Sequence, residues 1–371
     1  MRFDGEFDSA NLAAFARGCD VLGAGGGGQA GHGLPLALHA VAEHGPVRVV
    51  ELSDLPADEL VMPCAYLGAP EVEIERIGTG RESVGIRRQV ETHFGRPVAA
   101  LMCTEVGGFN GPGSVALAAH AGLPLLDADG MGRAFPGIEQ VAMQVAGIAA
   151  SPSVLSDEHD RVVMVQAESG EWLERLARSV TTAFGDRGVS SEYVMTVEQA
   201  AGAVVPGTIS MATRIGRVLD ECAAAGSATT AAVDRLAEEL GGVRLAECRV
   251  SQVHAVKNSA TATVTTNARR TALLEGVNRD EGRWLRLEAG HEYHAVLEDG
   301  ELRATVPDII TLFDVHSGEP VPVRDLRYGL RVVVFALPCP PLWRSPEALR
   351  LVGPRAFGLA VDYVPLAVDR G

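Results

Sequence analysis

Acidic residues follow two apolar, strand-like segments of this chain. VAALM is followed by CTEVGGFNGPG, which contains Glu105, and LPLL is followed by DADGMGRAFPG, which contains Asp127 and Asp129. If the two segments are neighbouring parallel strands, their carboxyl ends share the sheet edge where ligands collect. Three carboxylates gathered there can hold a divalent metal ion or supply an acid/base pair with a raised pKa. The alternative is structural: Asp127 caps a turn, Asp129 begins an Asp-Gly turn, and Arg133 pairs with one acid.

A second feature is the glycine-rich run GAGGGGQAGHG at residues 23–33. It follows SANLAAFARGCDVL, which has helical apolar spacing behind an Asp/Ser cap, whereas a dinucleotide-binding fingerprint needs a preceding strand. The Gly-Lys-Ser/Thr ending of a phosphate-binding loop is missing, so we expect no nucleotide cofactor. We expect the glycines to end the helix, to allow close backbone approach, and to direct the N–H groups of Gly25, Gly26, Gly27 and Gly28 toward a small anionic group.

Other candidates lie in the second half of the chain. In HEYH, His291 and His294 point to opposite faces of a strand, so a joint metal site needs a bend, and either one alone stays open as a ligand or base. Asp308, in VPDIITLFD, stays a candidate for the site, whereas Cys339 is interpreted as structural. No Gly-x-Ser-x-Gly motif is present, which disfavours a serine hydrolase of the usual α/β kind.

The elements around these residues predict two domains. Strand-length runs (LVMPCAYLG, PVAALMCTEVGG, LPLLDADGMG) alternate with helical segments (ESVGIRRQVETHFG, PGSVALAAHAG), which is typical of a layered α/β domain with a mostly parallel sheet. Further helices follow, and from Val243 onward short β-branched runs, ATATVTTNA among them, and the Asp-Gly hairpin signal in EDGEL indicate a β-rich domain. We predict an α/β domain over residues 1–165, then a helical connection and a β-rich domain over 166–371.

Composition narrows the classes of partner. The 371 residues are 47% hydrophobic, and the formal charge of -16 disfavours nucleic acid and anionic lipid. No run reaches the length of a membrane span, and six scattered cysteines without a CxxC pair argue against a disulfide framework or a zinc ribbon. The acidic N-terminus does not read as a signal peptide. We therefore expect a cytoplasmic protein with a small-molecule substrate, and a homo-oligomer is left open.

Several motifs occur in the order found in one family. They are GAGGGG, LGAPEVEIERI, TEVGGFN, LPLLDADGMGRAFP, PGTISMATRIG, VPDIITLFD, LRYGLRVVVFALP, PLW and GPRAFGLAVDY. Over essentially the whole chain the sequence resembles the DUF917 proteins, also called the S-methyl thiohydantoin desulfurase family, and DADGMGRAFP is the most specific of these marks. The resemblance implies an α/β N-terminal domain and a β-rich C-terminal domain.

The resemblance also implies an activity. Family members look like hydrolases that remove sulfur from a thiohydantoin ring, with zinc as a plausible cofactor, and they are often found near hydantoinase-like proteins. Carried over by position, the family's acidic loop falls on Glu105, Gly107, Gly108 and Asn110, its DADGMGR motif on Asp127, Asp129, Gly130 and Arg133, and its Pro-Asp pair on Pro307 and Asp308. Two motifs depart from the family pattern, namely Gln29-Ala30-Gly31 in place of Asp-Pro-Tyr and Gly290-His291-Glu292 in place of Gln-Asn-Glu.

These observations lead to one expected mechanism. A carboxylate or a divalent metal, zinc by the resemblance, activates water for attack on a five-membered cyclic amide or thioamide, and an acid protonates the leaving group. The expected catalytic residues are Glu105, Asp127 and Asp129, which together with His291 are also the expected metal ligands. The expected substrate-binding residues are Gly25, Gly26, Gly27, Gly28, Gly107, Gly108, Asn110, Gly130, Arg133, Glu292 and Asp308. The alternatives are a non-catalytic binding or assembly subunit that partners a hydantoinase-like enzyme, and a nucleotide-dependent ring-opening enzyme.

Overall fold

The computed structural model describes residues 5–69, 72, 75, 76, 78–257 and 268–367. The chain forms two compact units that interleave along the sequence. Unit 1 comprises Met1–Cys19, Gly28–Gly132 and Ile138–Arg214, and unit 2 comprises Asp20–Gly27, Arg133–Gly137 and Ile215–Gly371. Unit 1 thus continues past the predicted boundary at residue 165. The segment ATATVTTNA, except its last residue, and part of LGAPEVEIERI lie outside the described residues.

The helices are α1 Leu12–Leu22, α2 Ala30–His44, α3 Glu82–Phe94, α4 Asn110–Ala121, α5 Ala142–Val145, α6 Gly170–Ala183, α7 Val197–Ala200, α8 Thr208–Ala224, α9 Thr229–Leu240 and α10 Pro346–Val352. The strands are β1 Glu6–Phe7, β2 Val47–Val50, β3 Leu60–Gly68, β4 Val98–Cys103, β5 Leu125–Asp129, β6 Ser153–Ser156, β7 Val162–Val165, β8 Arg187–Ser191, β9 Met195–Thr196, β10 Val205–Pro206, β11 Val243–Lys257, β12 Ala268–Gly276, β13 Trp284–Ala289, β14 Tyr293–Glu298, β15 Glu301–Thr305, β16 Ile309–Asp314 and β17 Arg331–Leu337. In the part of the chain that is described, no helix combines the length and the apolar character that crossing a membrane requires.

The predicted layered α/β architecture is confirmed in unit 1. Its sheet has the order β1-β2-β5-β4-β3-β8-β6-β7, with β10 paired to β5 and β9 to β3. The prediction of a mostly parallel sheet holds only for β2, β5, β4 and β3, since the strands paired around them are antiparallel. The parallel strands alternate with helices along the chain, whereas β6, β7 and β8 pair with one another as antiparallel neighbours. The carboxyl ends of β4 and β5 lie side by side at Cys103 and Asp129, as the sequence analysis expected.

Two helices of unit 1 pack closely because glycine separates them. The α2 helix begins at Ala30, inside the glycine-rich run, and it packs against α4. A Cβ on Gly33 would stand 2.8 Å from the carbonyl oxygen of Phe109 and 3.1 Å from the Pro112 ring. The last glycine of the 23–33 run therefore allows the close approach that places α4 and the loop before it.

Unit 2 confirms the prediction of a β-rich C-terminal domain. A seven-stranded antiparallel sheet has the order β15-β14-β13-β12-β11-β17-β16, and α9 packs against β11 and β17. The buried side chains of β11, β12, β13 and β17 form one continuous hydrophobic core. The hairpin predicted at EDGEL joins β14 and β15, where Asp299 and Gly300 both have positive φ (51° and 85°), as a two-residue type I′ turn requires.

Candidate functional site

Glu105 stands at the carboxyl end of β4 and is held by the first residue of α4. The Asn110 side-chain N–H donates to Oε2 of Glu105 at 2.7 Å, while Asn110 Oδ1 accepts the backbone N–H of Tyr66 at 2.7 Å. The amide thus connects the carboxylate to β3 and fixes its orientation. Glu105 is 9% exposed, whereas Asp129 is fully buried. The neighbouring Cys103 thiol donates to the Glu105 carbonyl oxygen, and burial raises its pKa well above the ordinary value, which keeps it protonated.

Asp129, the last residue of β5, joins the two acidic loops. Its carboxylate accepts the backbone N–H of Val106 at 2.9 Å and that of Gly132 at 2.8 Å. Burial raises its pKa to about 7, although these N–H donors act in the opposite direction. Gly130 also donates to the Thr104 carbonyl oxygen, and a Cβ on Gly130 would stand 2.8 Å from that oxygen. Asp129 therefore anchors the loop that carries Glu105.

Asp127 caps a helix that begins 81 residues later in the chain. Its Oδ1 accepts the backbone N–H of Ser210 at 3.0 Å, and its Oδ2 accepts the Ser210 hydroxyl. The Asp127 carbonyl oxygen accepts the N–H of Gly207. Because Ser210 lies in the first turn of α8, the carboxylate satisfies a backbone donor that the helix leaves unpaired. The motif PGTISMATRIG contains Ser210, but the residue spacing of the sequence does not indicate that Asp127 is its partner.

N–H or O–H donors occupy oxygens of each of these three carboxylates, and among the described residues the three do not form a group whose oxygens all lie within 4.8 Å of one another. The group of three metal-ligating side chains found among the described residues is Glu43, His44 and His120, which contains none of the predicted ligands. His291, the fourth predicted ligand, is exposed in a turn. That the chain uses a divalent metal stays a prediction.

In unit 2 the glycine run packs on the start of β14. A Cβ on Gly25 would stand 2.5 Å from the Tyr293 ring, and a Cβ on Gly26 would stand 2.6 Å from Oε1 of Glu292. The N–H of Tyr293 donates to the Ala24 carbonyl oxygen at 2.8 Å. The Gly26 N–H donates to the carbonyl oxygen of Gly23, so this donor of the expected anion nest is used within the bend. These contacts show that Gly25 and Gly26 allow the close backbone approach that the sequence predicted.

The same bend covers a buried acid and histidine. Glu292 and His294 flank Tyr293, point the same way as residues two apart in an extended chain do, and are 2% and 4% exposed. Glu292 Oε2 lies 3.5 Å from His294 Nε2, and neither atom has a hydrogen-bond partner among the described residues. Burial lowers the pKa of His294, whose ring packs 4.3 Å from that of Phe357. The motif HEYH contains the signal for this pair, because the period of two in an extended chain places His294 on the same face as Glu292 and not as His291.

Arg133 and Asp308 are buried in unit 2. The Arg133 guanidinium donates to the carbonyl oxygens of Asp308 and Ala134 at 2.8 and 3.0 Å. The Asp308 carboxylate accepts the backbone N–H of Cys339 at 2.8 Å, the Tyr363 hydroxyl at 2.9 Å and the N–H of Leu366 at 3.0 Å. Burial raises the pKa of Asp308 against the effect of these donors. Asp308 thus anchors the C-terminal segment to the start of β16.

Comparisons with known proteins agree with this fold. A model described as the S-Me-THD-like N-terminal domain matches residues 10–167, and one described as the S-Me-THD-like C-terminal domain matches residues 168–366. An X-ray crystal structure of a protein from Chromobacterium violaceum is similar at a TM-score of 0.79 and 23% identity, over 98% of this chain and 100% of that chain, which shows the same fold. No curated protein matched the sequence. Because the two models together span almost the whole chain, it belongs to the S-Me-THD-like family.

Proposed function

We propose that this protein hydrolyses a small five-membered cyclic amide or thioamide of the thiohydantoin type and releases the substituent at C2. The observation that carries the proposal is the oriented carboxylate of Glu105 at the carboxyl end of a parallel strand. Ligands collect at this edge in α/β sheets. Membership of the S-Me-THD-like family supports the choice of a thiohydantoin-like ring.

Glu105 is assigned as the general base. It accepts a proton from water as the water oxygen bonds to C2, and it returns that proton to the departing sulfur as the C2–S bond breaks. For an S-alkyl ring, the oxygen becomes the new ring carbonyl and the second water proton ends on the ring nitrogen, so the products are a hydantoin and a thiol. Asn110 positions the carboxylate, and Asp129 positions the loop, since its oxygens accept the Val106 and Gly132 N–H groups.

A panel of thiohydantoins, their S-alkyl derivatives and hydantoins tests the proposal, with thiol, sulfide and ammonia measured separately. Glu105→Gln keeps an oxygen that can accept from Asn110 but lacks the basic carboxylate. We expect it to reduce kcat by about 10² or more, because a positioned general base contributes that much. Glu139→Gln, at a half-buried acid elsewhere in unit 1, is the matched control and should keep parental turnover.

Two results would contradict the assignment. Parental turnover by the Glu105→Gln variant would remove Glu105 from the mechanism. Tight binding of a ring compound by the parent protein without any product would favour the binding or assembly subunit instead. Because substrate affinity and turnover are measured on the same samples, the two outcomes are distinguishable.

A further inference from the structure

A cluster of two histidines and one glutamate lies at the C-terminal ends of two packed helices of unit 1. Glu43 and His44 are the last two residues of α2, and His120 lies in the last turn of α4. Their potential ligand atoms all lie within 4.8 Å of one another. We propose that Glu43, His44 and His120 bind a divalent transition-metal ion of the Zn²⁺ type and thereby join the ends of α2 and α4.

The donor geometry is close to what such an ion requires. Nε2 of His44 lies 2.9 Å from Nδ1 of His120 and 3.9 Å from Oε2 of Glu43. Tetrahedral coordination with Zn–N and Zn–O bonds of about 2.1 Å places neighbouring ligand atoms roughly 3.4 Å apart. Each of these two distances differs from that value by about 0.5 Å, so small side-chain shifts that replace the His44–His120 hydrogen bond would bring these atoms to bonding distance. Water would complete the coordination.

The donor types select the class of ion. Imidazole nitrogen suits Zn²⁺, Cu²⁺ and Ni²⁺, whereas Ca²⁺ and Mg²⁺ prefer oxygen ligands.

The backbone around the cluster favours a cation in this position. Both helices present their C-terminal ends, where the partial negative charge of the helix dipole stabilises positive charge. The His120 ring also packs directly on Gly80, where a Cβ would stand 2.7 Å from the ring. Gly80 has a φ of 77°, so a side chain there would be both strained and in conflict with the ring. The histidine is thus placed by packing as well as by its hydrogen bond to His44.

This cluster is separate from the proposed hydrolytic residues. Asn110 and His120 lie near opposite ends of α4, about 15 Å apart along the helix axis at 1.5 Å per residue. A metal ion at His120 would therefore stabilise the packing of α2 on α4 without contacting Glu105.

Calorimetric titration of the untagged, full-length protein with Zn²⁺ tests the site. We expect one equivalent to bind and the thermal unfolding midpoint to rise. His44→Ala and His120→Ala should each weaken binding by more than the roughly 10-fold that loss of an outer-shell partner causes. His159→Ala, at an exposed histidine elsewhere in unit 1, is the control and should bind as the parent does. Titration with Mg²⁺ in place of Zn²⁺ measures nonspecific attraction of a divalent cation to the net charge of -16, and we expect it to be much weaker than Zn²⁺ binding.

X-ray absorption of the Zn²⁺-loaded parent gives an answer that does not depend on how the variants fold. Scattering from two imidazole rings and no sulfur ligand is expected, since all six cysteines are buried. Parental affinity in the His44→Ala variant, or sulfur in the zinc coordination sphere, would overturn the proposal. Glu105→Gln should bind Zn²⁺ like the parent, and His44→Ala should keep parental turnover, so failure of this inference and failure of the proposed function are separable.

Discussion

Replacing Gly26 by alanine tests whether the glycine run serves close packing. The new Cβ would stand 2.6 Å from Oε1, 2.7 Å from Cγ and 2.9 Å from Cδ of Glu292. Glu292 is 2% exposed and lies under the bend, so its carboxylate cannot swing into solvent. Gly26 is not among the residues with positive φ, and the substitution therefore acts through steric conflict rather than through backbone strain.

The expected magnitude follows from the cost of overpacking a buried site. Such insertions destabilise proteins by about 1–3 kcal/mol, and we expect Gly26→Ala to lower the free energy of unfolding by that amount. Gly31→Ala, in the same glycine run, is the matched control. A Cβ there meets no atom within 4 Å, and Gly31 lies exposed in the first turn of α2. Alanine at this position should stabilise the protein by about 0.4–1 kcal/mol through the unfolded chain.

Urea denaturation followed by circular dichroism compares the two variants with the parent, with no ligand present. We expect the denaturation midpoint to fall for Gly26→Ala and to rise for Gly31→Ala. A Gly26→Ala variant as stable as the parent would refute the packing interpretation. Equal destabilisation by both substitutions would also refute it, because only one of the two sites is crowded.

Three other carboxylates give predictions for stability. Because burial raises the pKa of Asp129 from 3.8 to about 7, the folded state holds this proton more tightly than the unfolded state does. The free energy of unfolding should therefore fall by up to about 4 kcal/mol as the pH rises from 3.8 to about 7. Urea denaturation at several pH values should show a weaker pH dependence for Asp129→Asn than for the parent. An unchanged pH dependence in this variant would contradict the raised pKa of Asp129. Asp308→Ala removes the acceptor of three hydrogen bonds and should lower the free energy of unfolding by about 3 kcal/mol. Tyr363→Phe removes one of these bonds and should lower it by about 1 kcal/mol. Equal losses of unfolding free energy in the two variants would contradict the role of Asp308 as the acceptor of all three bonds. Asp127→Ala should cost about 1 kcal/mol, the usual effect of losing a helix cap, and a Ser210→Ala variant that is more damaging would contradict the capping role.

Local sequence signals predicted the elements well. The run LVMPCAYLG is β3 residue for residue, ESVGIRRQVETHFG contains α3, and EDGEL forms the hairpin between β14 and β15. Each of these signals is complete within a short window, namely an apolar run, a helical segment that ends at a glycine, and an Asp-Gly turn. The meeting of β4 and β5 at their carboxyl ends was also predictable, because parallel strands that alternate with helices align in this way.

Pairings between distant residues were not predictable. The antiparallel strands β6 to β10 carry no pattern that specifies their neighbours, and nothing in the sequence places residues 20–27 in the same unit as β14. At the candidate site, Asn110 and Glu105 are five residues apart and were both expected, whereas the partner of Asp127 lies 83 residues away. Hydrogen-bond partners decide the remaining roles, since backbone donors hold Asp129 whereas a side-chain amide holds Glu105.

Turnover of an S-alkyl thiohydantoin in ¹⁸O-labelled water, followed by mass spectrometry of the ring and of the released thiol, is the decisive test of hydrolysis at C2 by Glu105. We expect one labelled oxygen in the C2 carbonyl of an intact ring, one thiol per ring, and loss of both signals in the Glu105→Gln variant. Label in the carboxylate of an opened ring, or labelled product at the parental rate from Glu105→Gln, would contradict it.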